Sequence, residues 1–316
     1  MTELTRRGFA AGIAAGSTLI AAPALAQAPT KITIGYTAVS DFTSAFVARE
    51  EGYFAKRGLD ATLQLIALNS NIPAAMQAGS VQVGGPTPSV MLQANDGGLD
   101  LVAVAGGSFT HKDVANYGFV EKTGAGITDA KSAEGKRIGV PGMNAFLHVL
   151  FRKWMSEKGG DWKKVTFVET PFPQMADILR GGSVDGLVTG SPIMERIVQT
   201  NVGRVVSYFH NELPAGLPAI LYSTTRAWAT ANPGPLKAFR EGLAEGNAFV
   251  NDKANDAKVR QIIGKYIPLP PAVLANAIIS FQKPTITVEE VSYWINIMKE
   301  QDMLRGNPVA ANVVLP

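Results

Sequence analysis

Short polar side chains lie in four segments of the chain, each where a predicted strand leads into a helix, and these residues are the best suited to bind a small molecule. The segments are 36–42, 86–89, 141–145 and 189–192. Where such a segment opens a helix, its backbone N–H groups and the helix dipole attract anionic or hydrogen-bond-accepting groups. Serine, threonine and asparagine also cap helices, and capping is compatible with binding. The residues predicted to bind a ligand are Tyr36, Ser40, Asp41, Phe42, Thr87, Ser89, Gly142, Asn144, Thr189, Ser191 and, on a later strand, Tyr222.

Aromatic residues near these segments bear on the type of ligand. If two or three of them face the site, a planar or apolar-bodied ligand is favoured over nitrate; the alternative is that they pack in the core. His111 and Arg226 are candidate partners for an anionic group, although helix N-termini can hold an anion without them. A sulfonate, an aromatic carboxylate and a heterocyclic compound all stay open. The aromatic residues concerned are Tyr36, Phe42, Phe109, Phe146, Phe172 and Tyr222.

Residues that other functions need are missing or scattered. The chain has 316 residues and no cysteine, which excludes disulfides, thiolate catalysis and Cys-ligated metal centres. Its 3 histidines are not spaced as metal ligands, and its net charge of +3 comes from scattered basic residues, so neither a metal site nor nucleic-acid binding is expected. No nucleophile stands beside a base in the four segments, and no G-x-S-x-G, Walker or H-E-x-x-H motif occurs. We therefore expect binding without catalysis and without a cofactor.

Residues 1–28 are typical of an export signal. Arg6 and Arg7 precede a weakly apolar run rich in alanine and glycine, and two overlapping Ala-x-Ala sites predict cleavage after Ala26 or Ala28. The paired arginines favour the twin-arginine route, which exports folded proteins. A membrane helix is the alternative, but the proline, the glycines and the cleavage sites oppose it. We expect a periplasmic, monomeric protein.

Alternating short strands and helices position the four binding segments. A first alternation of strands and helices spans residues 31–105, and a second spans residues 136–188. A strand follows at 219–223, and helices dominate the remainder. This pattern predicts an α/β fold with a largely parallel sheet, in which the binding segments lie at the carboxyl ends of strands. The first alternation is predicted as strands over 31–36, 59–68, 81–84 and 101–105 and helices over 40–51, 71–77 and 90–95.

An internal repeat divides the mature chain. Residues 79–91 and 182–194 both run from a Gly-Ser turn through a short strand into a polar segment that opens a helix. Two copies of a half-domain predict two α/β lobes. We predict a first lobe from residues 29–117, a second from 118–218, and a return of 219–316 to the first lobe as a strand and C-terminal helices. A ligand is expected in the cleft between the lobes.

Residues 46–60, 135–140 and 182–186 carry a resemblance to a known family. They read F-V-A-R-E-E-G-Y-F-A-K-R-G-L-D, G-K-R-I-G-V and G-S-V-D-G. These stretches resemble the extracytoplasmic solute-binding proteins of ABC importers for nitrate, sulfonates and taurine, together with thiamine-precursor binders. The resemblance implies a two-lobed, type II periplasmic-binding-protein fold that closes on a small ligand and docks on a membrane permease. The Glu-Gly-Tyr-Phe stretch itself is predicted to be structural, as a helix end packed under the next strand.

The sequence therefore predicts an extracytoplasmic solute-binding protein that delivers a small organic ligand, anionic or heterocyclic, to an ABC importer. A sensor component is the first alternative, because it would use the same fold, closure and docking face. An enzyme is the second, because some fungal relatives of the thiamine-precursor binders are pyrimidine synthases. Those enzymes carry a cysteine-rich motif, and this chain has no cysteine, so the resemblance argues against that activity.

Overall fold

The structure is a computed structural model, and it describes residues 28–315. The predicted export signal, 1–28, lies outside the described residues except for its last residue. The strands are β1 (Thr30–Tyr36), β2 (Leu59–Leu65), β3 (Val83–Gly84), β4 (Leu101–Gly106), β5 (Ser108–Phe109), β6 (Tyr117–Lys122), β7 (Arg137–Val140), β8 (Thr166–Glu169), β9 (Gly186–Gly190), β10 (Gly203–Ser207), β11 (Leu221–Thr225) and β12 (Phe281–Gln282). The helices are α1 (Thr43–Glu50), α2 (Ile72–Gln77), α3 (Pro88–Asp96), α4 (Phe146–Glu157), α5 (Met175–Gly181), α6 (Ile193–Gln199), α7 (Arg226–Ala231), α8 (Pro233–Asn251), α9 (Asp256–Tyr266), α10 (Pro271–Ala275), α11 (Val288–Glu300) and α12 (Ala310–Val313).

Two five-stranded sheets repeat one strand order, which confirms the predicted two-lobed α/β fold. The first sheet runs β2-β1-β3-β11-β4 and the second runs β8-β7-β9-β6-β10. We call the sheet of β1 and its helices the first lobe, and the sheet of β7 and its helices the second. All strands of the second sheet lie between residues 117 and 207, whereas the first sheet also takes residues 221–225.

The prediction of a largely parallel sheet is only half right. The first three strands of each sheet are parallel, but the fourth runs antiparallel to both of its neighbours. The fourth strands are β6 and β11, and each follows a passage of the chain from one lobe to the other. They therefore lack the helical crossover within one sheet that would make them parallel to their neighbours.

The long C-terminal helices pack on the first lobe. Helices α8 and α9 both contact α1, which is buried along most of its length. The approach of α8 is close at Gly246, where a Cβ would lie 2.3 Å from the carbonyl oxygen of Ser44. The rings of Phe54 and Phe239 stack beside this contact with centroids 5.6 Å apart. This packing holds α1, and the binding segment that precedes it, against the first sheet.

The helix predicted over 271–280 ends early, at Ala275. The chain beyond it leads into β12, which pairs with β5. The backbone N–H of Ile278 donates to Ser191 Oγ at 2.7 Å, and the carbonyl of Ile278 accepts from Ser40 Oγ at 3.0 Å. These bonds satisfy the backbone there in place of helical ones, so tertiary contacts override the helical pattern.

Between residues 28 and 315, none of the helices combines the length and the apolar composition needed to cross a bilayer. Over the same residues, no cluster of three or more His, Asp or Glu side chains is arranged to hold a metal ion.

Candidate functional site

A narrow cavity lies where the two lobes meet. Its free space is about 20 Å³, enough for a single water molecule. Both lobes contribute to its walls, so an occupant would touch both. The lining residues are Thr37, Val39, Asp41, Asn69, Thr87, Ala219 and Ile220 on the side of the first lobe and Tyr117, Pro141, Ala145, Phe146, Leu147 and Phe172 on the side of the second.

The strand order explains why these residues meet. Thr37 and Asp41 follow β1, Asn69 follows β2, and Thr87 follows β3, all at the carboxyl ends of parallel strands. Pro141 stands in the same position after β7 in the second sheet. Because carboxyl ends of parallel strands share one edge, the segments that follow them converge there. The cavity forms where the two edges face each other.

Among residues 28–315, Asp41 is the only carboxylate that lines the cavity. Its Oδ1 accepts hydrogen bonds from the Tyr117 hydroxyl and from Ser280 Oγ, the latter at 2.8 Å. Burial raises the pKa of Asp41, and the hydrogen bonds from Tyr117, Ser108 and Ser280 partly offset this. Burial also raises the pKa of Tyr117, and the negative charge of Asp41 adds to that rise. The carboxyl group is thus a buried acceptor, and its hydrogen bonds only partly compensate for the loss of water.

The walls around Asp41 are apolar and aromatic. Phe146 and Phe172 line the cavity, and the rings of Tyr117 and Phe146 lie 5.0 Å apart between centroids. In the described part of the chain, no lysine, arginine or histidine lines the cavity. An anionic group there would meet the Asp41 carboxylate without a compensating cation. A planar, neutral group with an N–H donor suits this arrangement better.

Asn69 fixes one wall of the cavity through its side-chain amide. Its Oδ1 accepts the backbone N–H of Thr87 at 2.9 Å, and its Nδ2 donates to the carbonyl of Gly85 at 3.2 Å. The segment that opens α3 is thereby tied to the end of β2. Asn69 was not among the residues predicted to bind a ligand, although the run Asn69-Ser70-Asn71 follows a strand and could have been identified by that position.

Two of the residues predicted to bind a ligand, Asp41 and Thr87, line the cavity. Four others, Ser40, Ser89, Asn144 and Ser191, join the lobes directly beside it. The backbone N–H of Ser40 donates to the carbonyl of Ser191 at 3.0 Å, and Ser89 Oγ donates to the carbonyl of Asn144 at 2.7 Å. The lobes are therefore in direct contact next to the cavity, with hydroxyl-bearing residues at the contact points.

Tyr36, Phe42 and Tyr222 lie in the core of the first lobe and do not line the cavity. The Tyr36 hydroxyl donates to the carbonyl of Tyr266 at 3.2 Å. Phe42 and Tyr222 meet edge to face with centroids 6.2 Å apart. The helices that cover this lobe supply ring partners, which is why these aromatic side chains turn inward rather than towards the cleft.

The remaining predicted residues lie close to the cavity without lining it. Thr189 is fully buried, and its hydroxyl has no hydrogen-bond partner among residues 28–315. Gly142 passes close to the first lobe, since a Cβ there would lie 3.3 Å from the backbone nitrogen of Ser70. Asn144 has a φ of 61° and lines a different, outer groove between the lobes.

The family model described as NMT1/THI5 like matches residues 39–257. The chain belongs to the NMT1/THI5-like family. Curated relatives of this NMT1/THI5-like chain include the bicarbonate-binding protein CmpA of Synechococcus, which is 22% identical over 267 residues, or 77% of this chain and 59% of CmpA. The nitrate import ATP-binding protein NrtC of Synechocystis is 24% identical over 264 residues, or 77% of this chain and 38% of NrtC. The chain thus spans less than two thirds of the length of either relative.

Solved structures share the two-lobed fold of this NMT1/THI5-like chain. The alkanesulfonate-binding protein SsuA from Xanthomonas axonopodis pv. citri, bound to MOPS, aligns with a TM-score of 0.75 at 17% identity, over 91% of this chain and 98% of SsuA. The periplasmic nitrate-binding protein NrtA from Synechocystis aligns with a TM-score of 0.77 at 14% identity, over 90% of this chain and 86% of NrtA. At these identities the likeness establishes the fold, which is the one that the sequence resemblance implied.

Proposed function

We propose that the protein is the solute-binding component of an ABC importer and presents a small ligand to a membrane permease. Support comes from its family, from relatives named for nitrate import and for bicarbonate binding, and from the cavity between two lobes of the expected fold. Ligands of two-lobed folds bind between the lobes and stabilise closure. The protein is proposed to bind without chemistry. The described residues that line the cavity include no serine, lysine or histidine, and burial raises the pKa of the Tyr117 hydroxyl that donates to Asp41, which keeps that hydroxyl protonated.

The proposed ligand is a planar heterocycle with an N–H donor. The observation that carries this assignment is the buried Asp41 carboxyl, which faces aromatic walls and no basic side chain among the lining residues. A ring between Phe146 and Phe172 would place an amino or ring N–H group at the carboxyl oxygen. Sulfonates and aromatic carboxylates, which the sequence left open, would add a negative charge beside Asp41, so the heterocycle is preferred.

Binding requires the lobes to part and close again. The cavity of about 20 Å³ is far smaller than a ring, so a ligand reaches Asp41 only when the direct bonds between the lobes open. These include Ser89 Oγ to the carbonyl of Asn144 and the Ser40 N–H to the carbonyl of Ser191. On closure, contacts through the ligand would replace some of these bonds, and the extra contacts would favour the closed population.

A thermal-shift screen of the protein lacking residues 1–28 tests this proposal. The panel contains aminopyrimidines and aminopyridines, alkanesulfonates, aromatic carboxylates, nitrate and bicarbonate. A heterocycle that binds is expected to raise the Tm as its concentration increases, by mass action. Asp41→Asn should lower the affinity for that heterocycle by at least about tenfold, because a charge-assisted hydrogen bond is lost. Asp60→Asn, at an exposed position on β2, is the matched control. Stabilisation by a sulfonate or nitrate that Asp41→Asn leaves unchanged would overturn the ligand assignment, and turnover of the ligand would overturn binding without chemistry.

We further propose that residues 1–28 direct export to the periplasm through the twin-arginine route. Arg6, Arg7 and the Ala-x-Ala sites that end at Ala26 and Ala28 support this. Replacing both arginines with lysine should leave uncleaved precursor in the cytoplasm. Normal export of that double variant would contradict the twin-arginine route, and an intact N-terminus on exported protein would contradict cleavage.

A further inference from the structure

An open groove of about 570 Å³ lies between the lobes, apart from the cavity. The two spaces share no lining residue. The second lobe contributes side chains on and around α4, and the opposite wall is formed by the end of α3 and the chain that follows α11. The residues that line the groove are Gln93, Asp96, Gly97, Asn144, Arg152, Trp162, Gln301, Asp302, Met303 and Arg305.

Arg152 lies in this groove as a buried cation without a carboxylate partner. Its residue is only 6% exposed, and no acidic side chain among residues 28–315 forms an ion pair with it. Nη1 donates to Asn144 Oδ1 at 3.4 Å and Nη2 to the carbonyl of Gln301 at 3.5 Å, both long for hydrogen bonds. Nε is buried and has no partner among the described residues. Arginine is almost never buried in this way unless it is paired.

Two acidic side chains that share a groove with Arg152, Asp96 and Glu300, are already engaged, and Asp302, which also lines the groove, forms no ion pair with Arg152 among residues 28–315. Asp96 accepts the backbone N–H groups of Arg305 and Gly306, at 2.8 and 2.7 Å. Glu300 pairs with Lys153, which neighbours Arg152 on α4, at 3.4 Å. These contacts use carboxylates that could otherwise have neutralised the guanidinium.

The environment of Arg152 orients its guanidinium and makes its charge costly. The group lies over the ring of Trp162 at 4.0 Å from the centroid, which holds its plane. Burial lowers the pKa of Arg152 to about 10. Burial and the charge of Arg152 together lower the pKa of His148 to about 3, so the adjacent histidine is neutral and adds no competing charge. Arginine commonly binds oxyanions through two parallel hydrogen bonds from its Nε–Nη2 edge. In Arg152 this edge has one donor without a partner, Nε, and one donor in a long hydrogen bond, Nη2.

We propose that Arg152 binds a small oxyanion, such as phosphate, sulfate or a carboxylate, in the groove between the lobes. This site is separate from the proposed ligand cavity and does not depend on the ligand assigned to it. Because the walls of the groove come from both lobes, the bound anion stabilises the closed arrangement. The protein thus has a second binding site, for an anion, beside the site for the transported ligand.

Titration of the protein lacking residues 1–28 with sodium phosphate and with sodium sulfate, at ionic strength matched by sodium chloride, tests the proposal. Calorimetry should show saturable binding at one site, and tryptophan fluorescence should change with the same midpoint because Trp162 stacks on the guanidinium. Arg152→Gln should abolish binding. Arg152→Lys, which keeps the charge but not the paired donors, should weaken it at least tenfold and serves if the glutamine variant does not fold.

Arg180→Gln is the matched control, because it removes one positive charge from an exposed arginine on α5 that already pairs with Asp177. The affinity of the Arg180→Gln variant for phosphate should stay within about threefold of that of the unmodified protein. This is less than the tenfold loss expected of Arg152→Lys, which corresponds to about 1.4 kcal/mol. Equal weakening by Arg180→Gln and Arg152→Lys would show diffuse electrostatic attraction and overturn the site. Unchanged phosphate binding by Arg152→Gln, or no saturable binding by the unmodified protein, would overturn it as well.

Discussion

The hydroxyl of Tyr117, on the first strand of the second lobe, donates a hydrogen bond to the carboxyl group of Asp41, which follows β1 in the first lobe. The same oxygen of Asp41 accepts from Ser280, in the segment between α10 and β12. One buried acceptor atom therefore ties together three parts of the chain that are far apart in sequence. Both the closure of the lobes and the electrostatics of the cavity depend on this group.

Replacing Asp41 with asparagine is expected to stabilise the protein at neutral pH. Burial raises the pKa of Asp41 in the folded state above its ordinary value of 3.8, so ionisation is more costly in the folded than in the unfolded chain. This cost is fully present at pH values above the pKa of Asp41 in the folded state, and it disappears at pH values below the pKa of Asp41 in the unfolded state. The gain in the free energy of unfolding should therefore shrink as the pH falls from 7 towards about 4, the usual range of an aspartate.

Urea unfolding of both proteins across this pH range is the measurement. Asp60→Asn, on the exposed side of β2, should show no such pH-dependent difference from the unmodified protein. If Asp41→Asn destabilises the protein at neutral pH, or stabilises it equally at every pH, the buried and only partly compensated carboxylate is contradicted.

Replacing Tyr117 with phenylalanine should weaken closure. The substitution deletes the hydroxyl that donates to Asp41 and leaves the carboxyl group with Ser280 and Ser108 as donors. Loss of a hydrogen bond to a charged group should lower the free energy of unfolding by about 1.5–3 kcal/mol. Small-angle scattering should show a larger radius of gyration, because a bond between the lobes is lost. Tyr208→Phe, at an exposed position, is the control, and a radius unchanged by Tyr117→Phe would count against this contact as a closure element.

The repeat of residues 79–91 and 182–194 was enough to predict two similar lobes, because each copy contains a strand and the start of its helix. The strands β6 and β10 were not predicted. Five of the six residues of β6 are buried and the sixth is half-buried, so this central strand lacks the alternation that identifies half-buried strands. β10 lies at the edge of its sheet, and only its sheet neighbour defines it as a strand. Both β6 and β10 are strands because they pair with segments far away in the chain, and a single sequence does not show which segments pair.

The site could be predicted in part. Asp41 and Thr87 follow strands of the first lobe, and position alone indicated them. Tyr117 was missed as a cavity residue, because its contact with Asp41 spans 76 positions and nothing local shows which face of β6 meets the first lobe. Tyr36 and Phe42 were selected because they lie at the end of β1 and shortly after it, but packing partners supplied by α1 and α9 draw their rings into the core.

Asn144 is expected to tolerate glycine better than alanine. Its φ of 61° lies in the left-handed region, where alanine costs about 1–2 kcal/mol and glycine costs little. Asn144→Ala should therefore lower the free energy of unfolding by about 1 kcal/mol more than Asn144→Gly, as measured by urea unfolding. Both variants lose the bond from Arg152 equally, so their difference reports the backbone alone. If the alanine variant is as stable as the glycine variant, the left-handed conformation is contradicted.

The contact between α1 and α8 predicts opposite effects of two glycine-to-alanine changes. Gly246→Ala would place a Cβ 2.3 Å from the carbonyl oxygen of Ser44 and should destabilise the protein by about 1–3 kcal/mol or more. Gly181→Ala, in α5, would meet no atom of residues 28–315 within 4 Å and should be neutral or stabilising by up to about 1 kcal/mol. Thermal unfolding of the two variants is the comparison. Similar losses of stability in both would contradict the close approach at Gly246.

The position of β11 between β3 and β4 has a consequence for synthesis on the ribosome. All five strands of the second sheet have emerged once residue 207 has left the exit tunnel, whereas the first sheet still lacks its fourth strand at that moment. Until residues 221–225 follow, β3 and β4 present unpaired edges that can pair with other chains. The middle of the polypeptide can thus finish folding before the part that was made first, and a nascent chain arrested before residue 221 would hold a complete second sheet beside an open first one.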